Sequence, residues 1–408
     1  MDKDGDNMDL IFHIDVNNAF LSWTALELLE KGSRYDIRNS YAVVGGDESK
    51  RHGIVLAKST SAKKMGIQTG ESLYEARRKC PAVRTYPPNY EWYQKNSRAL
   101  FQLLSQYSPD IEVASIDECY MDYGKVKKLY GDELVFARKL KQEIYDTLGF
   151  TVNIGIANNK LCAKMASDFS KPNQIHTLYL EEVPTKMWPL PIGKLYGIGK
   201  KTTVKLISLG ITTIGELAAT DPIFLARYFK NQASKMIASA HGVSSSIVTS
   251  NIEEPKGISN STTLSKDMND IAEMKHVLQA ISENVGLSLR KQKKYTSVIA
   301  VQLKDKYFRS YSHQMTLQNP TNLTQEIYQT SVRLLQEMWD HKPVRLIGIR
   351  LDNLSDTAPY QVSLFETLEA RDQENELESV VDQLNEKFGT QAIKKASLVD
   401  SKIKKKYL

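Results

Sequence analysis

The sequence predicts a multidomain α+β protein, and three observations carry that prediction. Short β-rich runs alternate with helical stretches over the first 180 residues, Pro and Gly punctuate a run of short helices from Pro184 to about His241, and a second strand–helix alternation fills Gly257 to Leu354. The chain has 408 residues, 41% of them hydrophobic, which at roughly 100–200 residues per domain is enough for several domains with real cores.

Each element has a local reason. Leu10 to Ile14 is an apolar run of buried-strand type that ends in Asp15. Ser40 to Val44 and Gly53 to Ala57 read as two further strands. Asn89 to Gln106 carries Leu100, Leu103, Leu104 and Tyr107 on one helical stripe. Ile111 to Ile116 reads as a strand leading straight into Asp117 and Glu118, with Cys119 to Met121 as its continuation. Asp132 to Leu148 is an amphipathic helix, Thr151 to Ala157 a strand and Lys160 to Phe169 another helix. Residues 243–256 are Ser-rich and weakly periodic, as a tether would be. Beyond them come a helix near Asp270 to Gln292, a strand at Thr296 to Leu303, a helix at Leu323 to Trp339 and a strand at Val344 to Leu351. An acidic helical stretch and a Lys-rich end close the chain, and they read as a solvated tail.

Lys plus Arg (54) exceeds Asp plus Glu (48), giving +6, a balance compatible with a polyanionic partner. The longest apolar runs fall far short of the roughly 20 residues that span a bilayer, so a membrane protein is not expected. The polar, acidic start is unlike a secretory signal. Cys80, Cys119 and Cys162 are an odd, scattered set without C-x-x-C, which predicts packing thiols in a reduced, cytoplasmic protein.

Carboxylates are the sharpest chemical signal. Asp15 in FHIDVNNAF and the adjacent Asp117 and Glu118 in ASIDECY fall at strand ends. Oxygen clusters of this kind suit Mg²⁺, and two such ions about 4 Å apart support in-line phosphoryl displacement. A single strand-end Asp is ordinarily a solvated residue; an acidic pair between Ile116 and Cys119 is less easily explained that way. No H-E-x-x-H, no G-x-S-x-G and no G-x-x-x-x-G-K-[ST] competes.

With these residues in view, the chain resembles the Y-family, or translesion, DNA polymerases. FHIDVNNAF, ASIDECYMD, NIGIANNKLCAKMASDFSKPN, LYGIGKKT and QVSLF stand in that family's order across most of residues 8 to 365. The sequence looks nearest to the UmuC-like SOS polymerases of Gram-positive mobile elements, the UvrX kind. The resemblance implies a right-hand architecture: a ferredoxin-like palm (1–23 and 81–180), small fingers (24–80), a helix-hairpin-helix thumb (181–242), a linker (243–256), an α/β little finger (257–354) and a tail with a clamp-binding peptide (355–408).

It also implies roles. Asp15, Asp117 and Glu118 would bind two Mg²⁺ ions with the Val16 carbonyl, and a primer hydroxyl would attack the α-phosphate of a deoxynucleoside triphosphate. Phe20 matches the steric gate beneath the sugar, and Lys171 of SKPN matches a triphosphate contact. The fingers depart from the commoner Tyr and Arg pattern: Thr60 and Lys63 stand there, and lysine lacks arginine's bidentate reach.

In GIGKKT, Gly197 and Gly199 let the backbone approach a phosphate, and Lys200 and Lys201 open the following helix. Seven basic residues against Asp305 alone lie between Arg290 and Arg309, among them Lys293, Lys304 and Arg309, and they are expected to track DNA phosphates. Gln361, Leu364 and Phe365 of QVSLF match the peptide that docks on the bacterial sliding clamp. The expected protein is a monomeric, low-fidelity, DNA-directed DNA polymerase of the SOS response acting on primer-template DNA. Two rivals are a nucleotidyl cyclase, which has no use for a helix-hairpin-helix, and a catalytically silent clamp- and DNA-binding regulator, which has no use for the acidic triad.

Overall fold

In the computed structural model, residues 9–48, 51, 53–250, 254–359, 368–389 and 392–398 are described. The chain divides into two units, Met1–Gly46 with Gly53–Ile252, and Asp47–His52 with Glu253–Leu408.

The first unit opens with β1 (Ile11–Val16), buried along its whole length, and α1 (Ala19–Glu30). A small sheet follows, from β2 (Ala42–Gly45) and β3 (Val55–Lys58), with α2 (Thr60–Lys64) and α3 (Leu73–Lys79) packed beside it. Strand β4 (Arg84–Tyr86) completes it in the order β3-β2-β4. The chain thus returns to the small sheet beyond residue 80, where the sequence places the end of the fingers.

Helix α4 (Tyr90–Leu104) buries the predicted Leu100, Leu103 and Leu104 stripe. Then come β5 (Ile111–Val113) and β6 (Glu118–Asp122), where the sequence suggested one continuous strand. They form instead an antiparallel hairpin in which Val113 pairs with Cys119 and Ile111 with Met121. The reversal has a chemical cause in Ser115 and Asp117: the Ser115 hydroxyl donates to Asp117 Oδ1 at 2.6 Å, and the Ala114 and Ser115 N–H groups both donate to the Glu118 carbonyl. Short polar side chains bonding locally favour a turn over an extended strand.

Next are α5 (Lys127–Tyr130), α6 (Glu133–Leu148, capped by Asp132), β7 (Val152–Ala157), α7 (Lys160–Ser167) and β8 (Ile175–Thr177). These strands and the hairpin make one sheet in the order β5-β6-β1-β7-β8. Along β1 the side chains alternate: Phe12, Ile14 and Val16 enter a core with residues of α4 and α6, whereas Ile11 enters a second core with α7. That second core extends through α8 (Lys200–Ser208), α9 (Ile214–Ala218), α10 (Pro222–Phe229) and α11 (Gln232–Ala240).

The predicted tether is firmer than its composition suggests. Val248 is buried in this core, the Lys160 N–H donates to the Ser245 carbonyl, and the Thr249 N–H donates to Glu112 at 3.0 Å.

In the second unit, β9 (Gly257–Met268), α12 (Ile271–Lys291), β10 (Tyr295–Asp305), β11 (Ser310–Thr321), α13 (Thr324–Met338) and β12 (Val344–Ser355) form a sheet in the order β11-β10-β12-β9 with both helices packed on it. The sequence reading missed β9 and β11, whose residues are mostly exposed or half-buried and give little hydrophobic signal. Helix α14 (Leu368–Phe388) is not merely solvated, since Glu378 and Asp382 bind Arg290 of α12. The expected clamp peptide, Gln361, Leu364 and Phe365, lies outside the described residues. Among the described residues no helix is long and apolar enough to cross a membrane, and the three cysteines are free and buried.

Candidate active site

The register of the large sheet assembles the site. Asp15 on β1 pairs directly with Glu118 on β6 and, on its other side, with Asn153 on β7, so one row crosses three strands. Asp15 lies two residues beyond His13 and four beyond Ile11, so all three face α7. One step further along, the Val16 N–H donates to the Asp117 carbonyl at 3.0 Å, which fixes the hairpin turn beside the Asp15 strand end. Residues distant in sequence thus meet on one face.

Helix α7 approaches this row closely because β7 carries Gly155. A Cβ there would lie 2.0 Å from the Ala163 carbonyl oxygen. The approach brings Lys164 against the acids: its ammonium lies 3.2 Å from Asp15 Oδ2 and also binds Glu118 Oε2. Lys171 reaches Asp15 Oδ1 at 3.1 Å and Asp168 at 2.8 Å. Burial works against the charge on Lys164, but Glu118 and Asp15 outweigh it and hold the amine above the usual lysine range.

Glu118 is held down to about 2 by His13 and Lys164 against its burial. The His13 imidazole, itself pushed below its usual value by burial, sits 3.5 Å from Glu118 and hydrogen-bonds Ser167 at 2.8 Å. Burial pushes the half-buried Asp117 up; the neighbouring Asp15 and Glu118 charges add to this, and the Ser115 hydroxyl opposes it.

With Lys164 lying between Asp15 and Glu118, no three acidic, His or Cys side chains among the described residues form a ready-made metal cluster. The donor chemistry nonetheless fits a hard divalent cation: three carboxylates and the Val16 main chain offer oxygen only, and the negative charge gathered here already holds two ammonium groups.

The loop that carries Lys171 is positioned by residues the sequence reading overlooked. Asn153 is fully buried and uses all its capacity: its amide donates to the Ser167 and Ser170 carbonyls, and its oxygen accepts from Asn17 and the Gln174 N–H. Asn17 in turn accepts from the Asn173 N–H at 2.7 Å. Lys164 was equally overlooked. Its signal was a lysine in the middle of an apolar helix face, between Cys162 and Met165.

Phe20, near the start of α1, stacks on Tyr93 of α4 with ring centres 4.7 Å apart and planes within 10°. Tyr90 meets the Phe20 ring edge-on, and the Tyr93 hydroxyl is bonded to Thr24 at 2.6 Å. Thr60 and Lys63 lie on α2, whose N-cap is Ser59; no described hydrogen bond or ion pair joins them to the carboxylates.

Gly197 takes a left-handed φ of 89° and Gly199 caps α8, with open space where a Cβ would stand at either. Lys200 and Lys201 are exposed at the start of that helix. In the second unit the predicted basic run divides. Arg290 is paired with Glu378 and Asp382, and Lys294 is buried between Glu254 and Asp356, so neither is a free cation. Lys293 occupies a left-handed turn after α12, Lys304 lies on β10, and Arg309 pairs with Asp305 while most of its side chain stays exposed.

This sheet, with strand-end carboxylates on a βαββαβ framework followed by a helix-hairpin-helix, has the architecture of the right-hand nucleotidyl transferases. Family profiles agree: the impB/mucB/samB family profile matches residues 14–168, its C-terminal domain 255–364 and its helix-hairpin-helix motif 181–211. The chain belongs to this family, the Y-family DNA polymerases. It is 45% identical over 397 residues to DNA polymerase IV of Clostridium acetobutylicum, covering 97% of this chain and 99% of that protein. It is 33% identical to DNA polymerase IV of Clostridium kluyveri, with 96% and 98% covered, and 34% identical to DNA polymerase IV 1 of Bacillus subtilis, with 95% and 92% covered. All three are named DNA polymerase IV or IV 1, and none of these names points to the mobile-element subgroup of the sequence reading. A solved Y-family DNA polymerase chimera of Dbh and Dpo4 shares the fold, with a TM-score of 0.75 at 24% identity over 85% of this chain and all of that one.

Proposed function

We propose that the protein extends primers by low-fidelity translesion synthesis in the SOS response, with Asp15, Asp117 and Glu118 as its catalytic carboxylates. It is a DNA-directed DNA polymerase of the Y family, and its substrates are primer-template DNA and deoxynucleoside triphosphates. The observation that carries the assignment of the site is the direct cross-strand pairing of Asp15 with Glu118, with Asp117 beside them. A silent DNA-binding regulator has no need of such an array.

The family depends on divalent metal, and in this chain the three carboxylates and the Val16 carbonyl would hold two Mg²⁺ ions. Bound there, they supply Lewis acidity and charge at the reacting phosphate. The chain's own groups do the positioning. Lys171 and Lys164, which here neutralise Asp15 and Glu118, would donate to triphosphate oxygens, with Thr60 and Lys63 adding a hydroxyl and a point charge from the fingers. Phe20, backed by Tyr93, leaves no room for a 2′-hydroxyl.

The palm (1–23 and 81–180), fingers (24–80), thumb (181–242), linker (243–256) and little finger (257–354) are taken from the sequence reading, except that β4 (Arg84–Tyr86) belongs with the fingers sheet and residues 245–249 pack with the first unit. Gly197, Gly199, Lys200 and Lys201 hold duplex phosphates at the thumb without reading bases, and Lys293, Lys304 and Arg309 do so at the little finger. Gln361, Leu364 and Phe365 engage the sliding clamp of a cytoplasmic replication apparatus, and the polymerase acts as a monomer. Primer extension with four deoxynucleotides and Mg²⁺ tests the central claim. Extension by the parent chain, abolished in Asp117→Ala/Glu118→Ala with DNA binding retained, is the expected result; equal extension by both proteins refutes the assignment.

A further inference from the structure

The turn between β10 and β11 has features that the polymerase assignment leaves unused. Tyr307 and Phe308 stand side by side at its tip, 68% and 66% exposed. Neighbouring large aromatics turned into water are costly to maintain and commonly mark a contact site. They are also held rigidly. Asp305 is buried, and its carboxylate accepts from the Tyr307 N–H at 2.8 Å, the Arg309 N–H at 3.0 Å and Arg309 Nε at 2.8 Å. Phe308 is locked at a φ of 64°, a region a bulky residue rarely adopts, and its N–H returns to the Asp305 carbonyl.

Cations sit against the ring faces. Lys306 Nζ is 5.1 Å and Arg309 Cζ 5.4 Å from the Tyr307 ring centre, and Arg345 Cζ is 4.7 Å from that of Phe308. Among the described residues only Arg309 of these three cations is paired, with Asp305 inside the turn. Exposed aromatic faces interleaved with cations match a strand whose bases are unpaired and whose phosphates are charged; a duplex hides its base faces inside the stack.

We propose that the Tyr307–Phe308 turn is a stacking platform for single-stranded DNA. Unpaired bases lie on the two rings, while Lys306 and Arg345 neutralise the neighbouring phosphates. The proposal rests on the chain acting on DNA and adds a site specific for unpaired strand. A protein partner fits the aromatic pair less well, because the cations beside it call for a polyanion.

The test uses the full chain, a single-stranded oligonucleotide carrying 2-aminopurine, and a blunt duplex of the same length. Tyr307→Ala/Phe308→Ala is expected to weaken single-strand binding by about tenfold or more and to abolish the fluorescence quench on binding. Duplex affinity should change little, and so should the slope of log affinity against log salt. Lys306→Ala should instead lower that slope by about 0.7. Tyr307→Trp/Phe308→Trp should keep both affinity and quench, which separates stacking from a folding defect.

Unchanged single-strand affinity and quench in the double alanine variant would overturn the proposal and leave the turn as a protein contact. Equal losses for single strand and duplex would overturn it too, by reducing the turn to a general phosphate contact. If the parent chain bound neither DNA, the polymerase assignment itself would fall, whereas duplex binding without single-strand binding would reject the platform alone.

Discussion

The ion pairs around Asp15 and Glu118 make the site sensitive to acid. Glu118 is drawn from the ordinary 4.5 to about 2, so in the absence of divalent ions its contribution to stability is complete above about pH 4.5 and disappears as the pH falls towards 2. Denaturant titrations across that range should show stability dropping with acidification, and Glu118→Gln should flatten the drop; an unchanged profile would mean that Lys164 and His13 do not hold the carboxylate. Phe20 and Tyr93 give a second expectation. Phe20→Val should reduce discrimination against ribonucleotides by about a hundredfold, and Tyr93→Leu, which removes only the ring behind it, by about tenfold. Single-nucleotide incorporation of deoxy- and ribonucleotides measures both ratios, and unchanged discrimination in Tyr93→Leu would show that the Phe20 ring is not steadied by its partner. The acids, Phe20 and Lys171 were legible in the sequence because each falls within a motif. Lys164, Asn17, Asn153 and Tyr93 were not, because their roles come from which face of an element they occupy, and that is decided only when β1, β7, α4 and α7 meet.

At the scale of elements, the contact of α7 on β7 governs where Lys164 points. Gly155→Ala would place a methyl against the Ala163 carbonyl and the Ser167 N–H, at a cost of about 1–3 kcal/mol or more. Urea unfolding should show that loss, and primer extension should fall by up to about a hundredfold as Lys164 shifts. Full activity with a displaced midpoint would confine Gly155 to packing. Periodicity located most of the long helices and buried strands within a residue or two, since a core-facing stripe is written in the sequence, but it left α1 unmarked and ended β12 four residues early. It failed where burial was shallow, at β9 and β11, and where a short polar turn outweighed strand propensity, at Ser115 to Asp117.

At the scale of the whole molecule, the excess of basic over acidic residues acts only through those cations left unpaired. DNA affinity should fall with salt, and alanine at Lys293 or Lys304 should reduce the logarithmic slope on duplex by about 0.9 each. Arg290→Ala should leave that slope unaltered, because Glu378 and Asp382 already balance the guanidinium. Fluorescence anisotropy over a salt series distinguishes the two classes, and equal slopes for all three variants would show that the ion pairs open on DNA. Charge counting along the chain treated these residues alike, because the carboxylates opposite Arg290 are about ninety positions away and reach it only through the fold of α14.

The docking of residues 245–249 also decides how this stretch meets a protease. A loose serine-rich tether offers its backbone to cleavage at once, whereas here Val248 is buried in the core with α7 and α11 and the main chain on either side of it is bonded to Lys160 and Glu112. Cutting between residues 245 and 249 therefore requires local unfolding first, and its rate reports the stability of that docking rather than the composition of the segment.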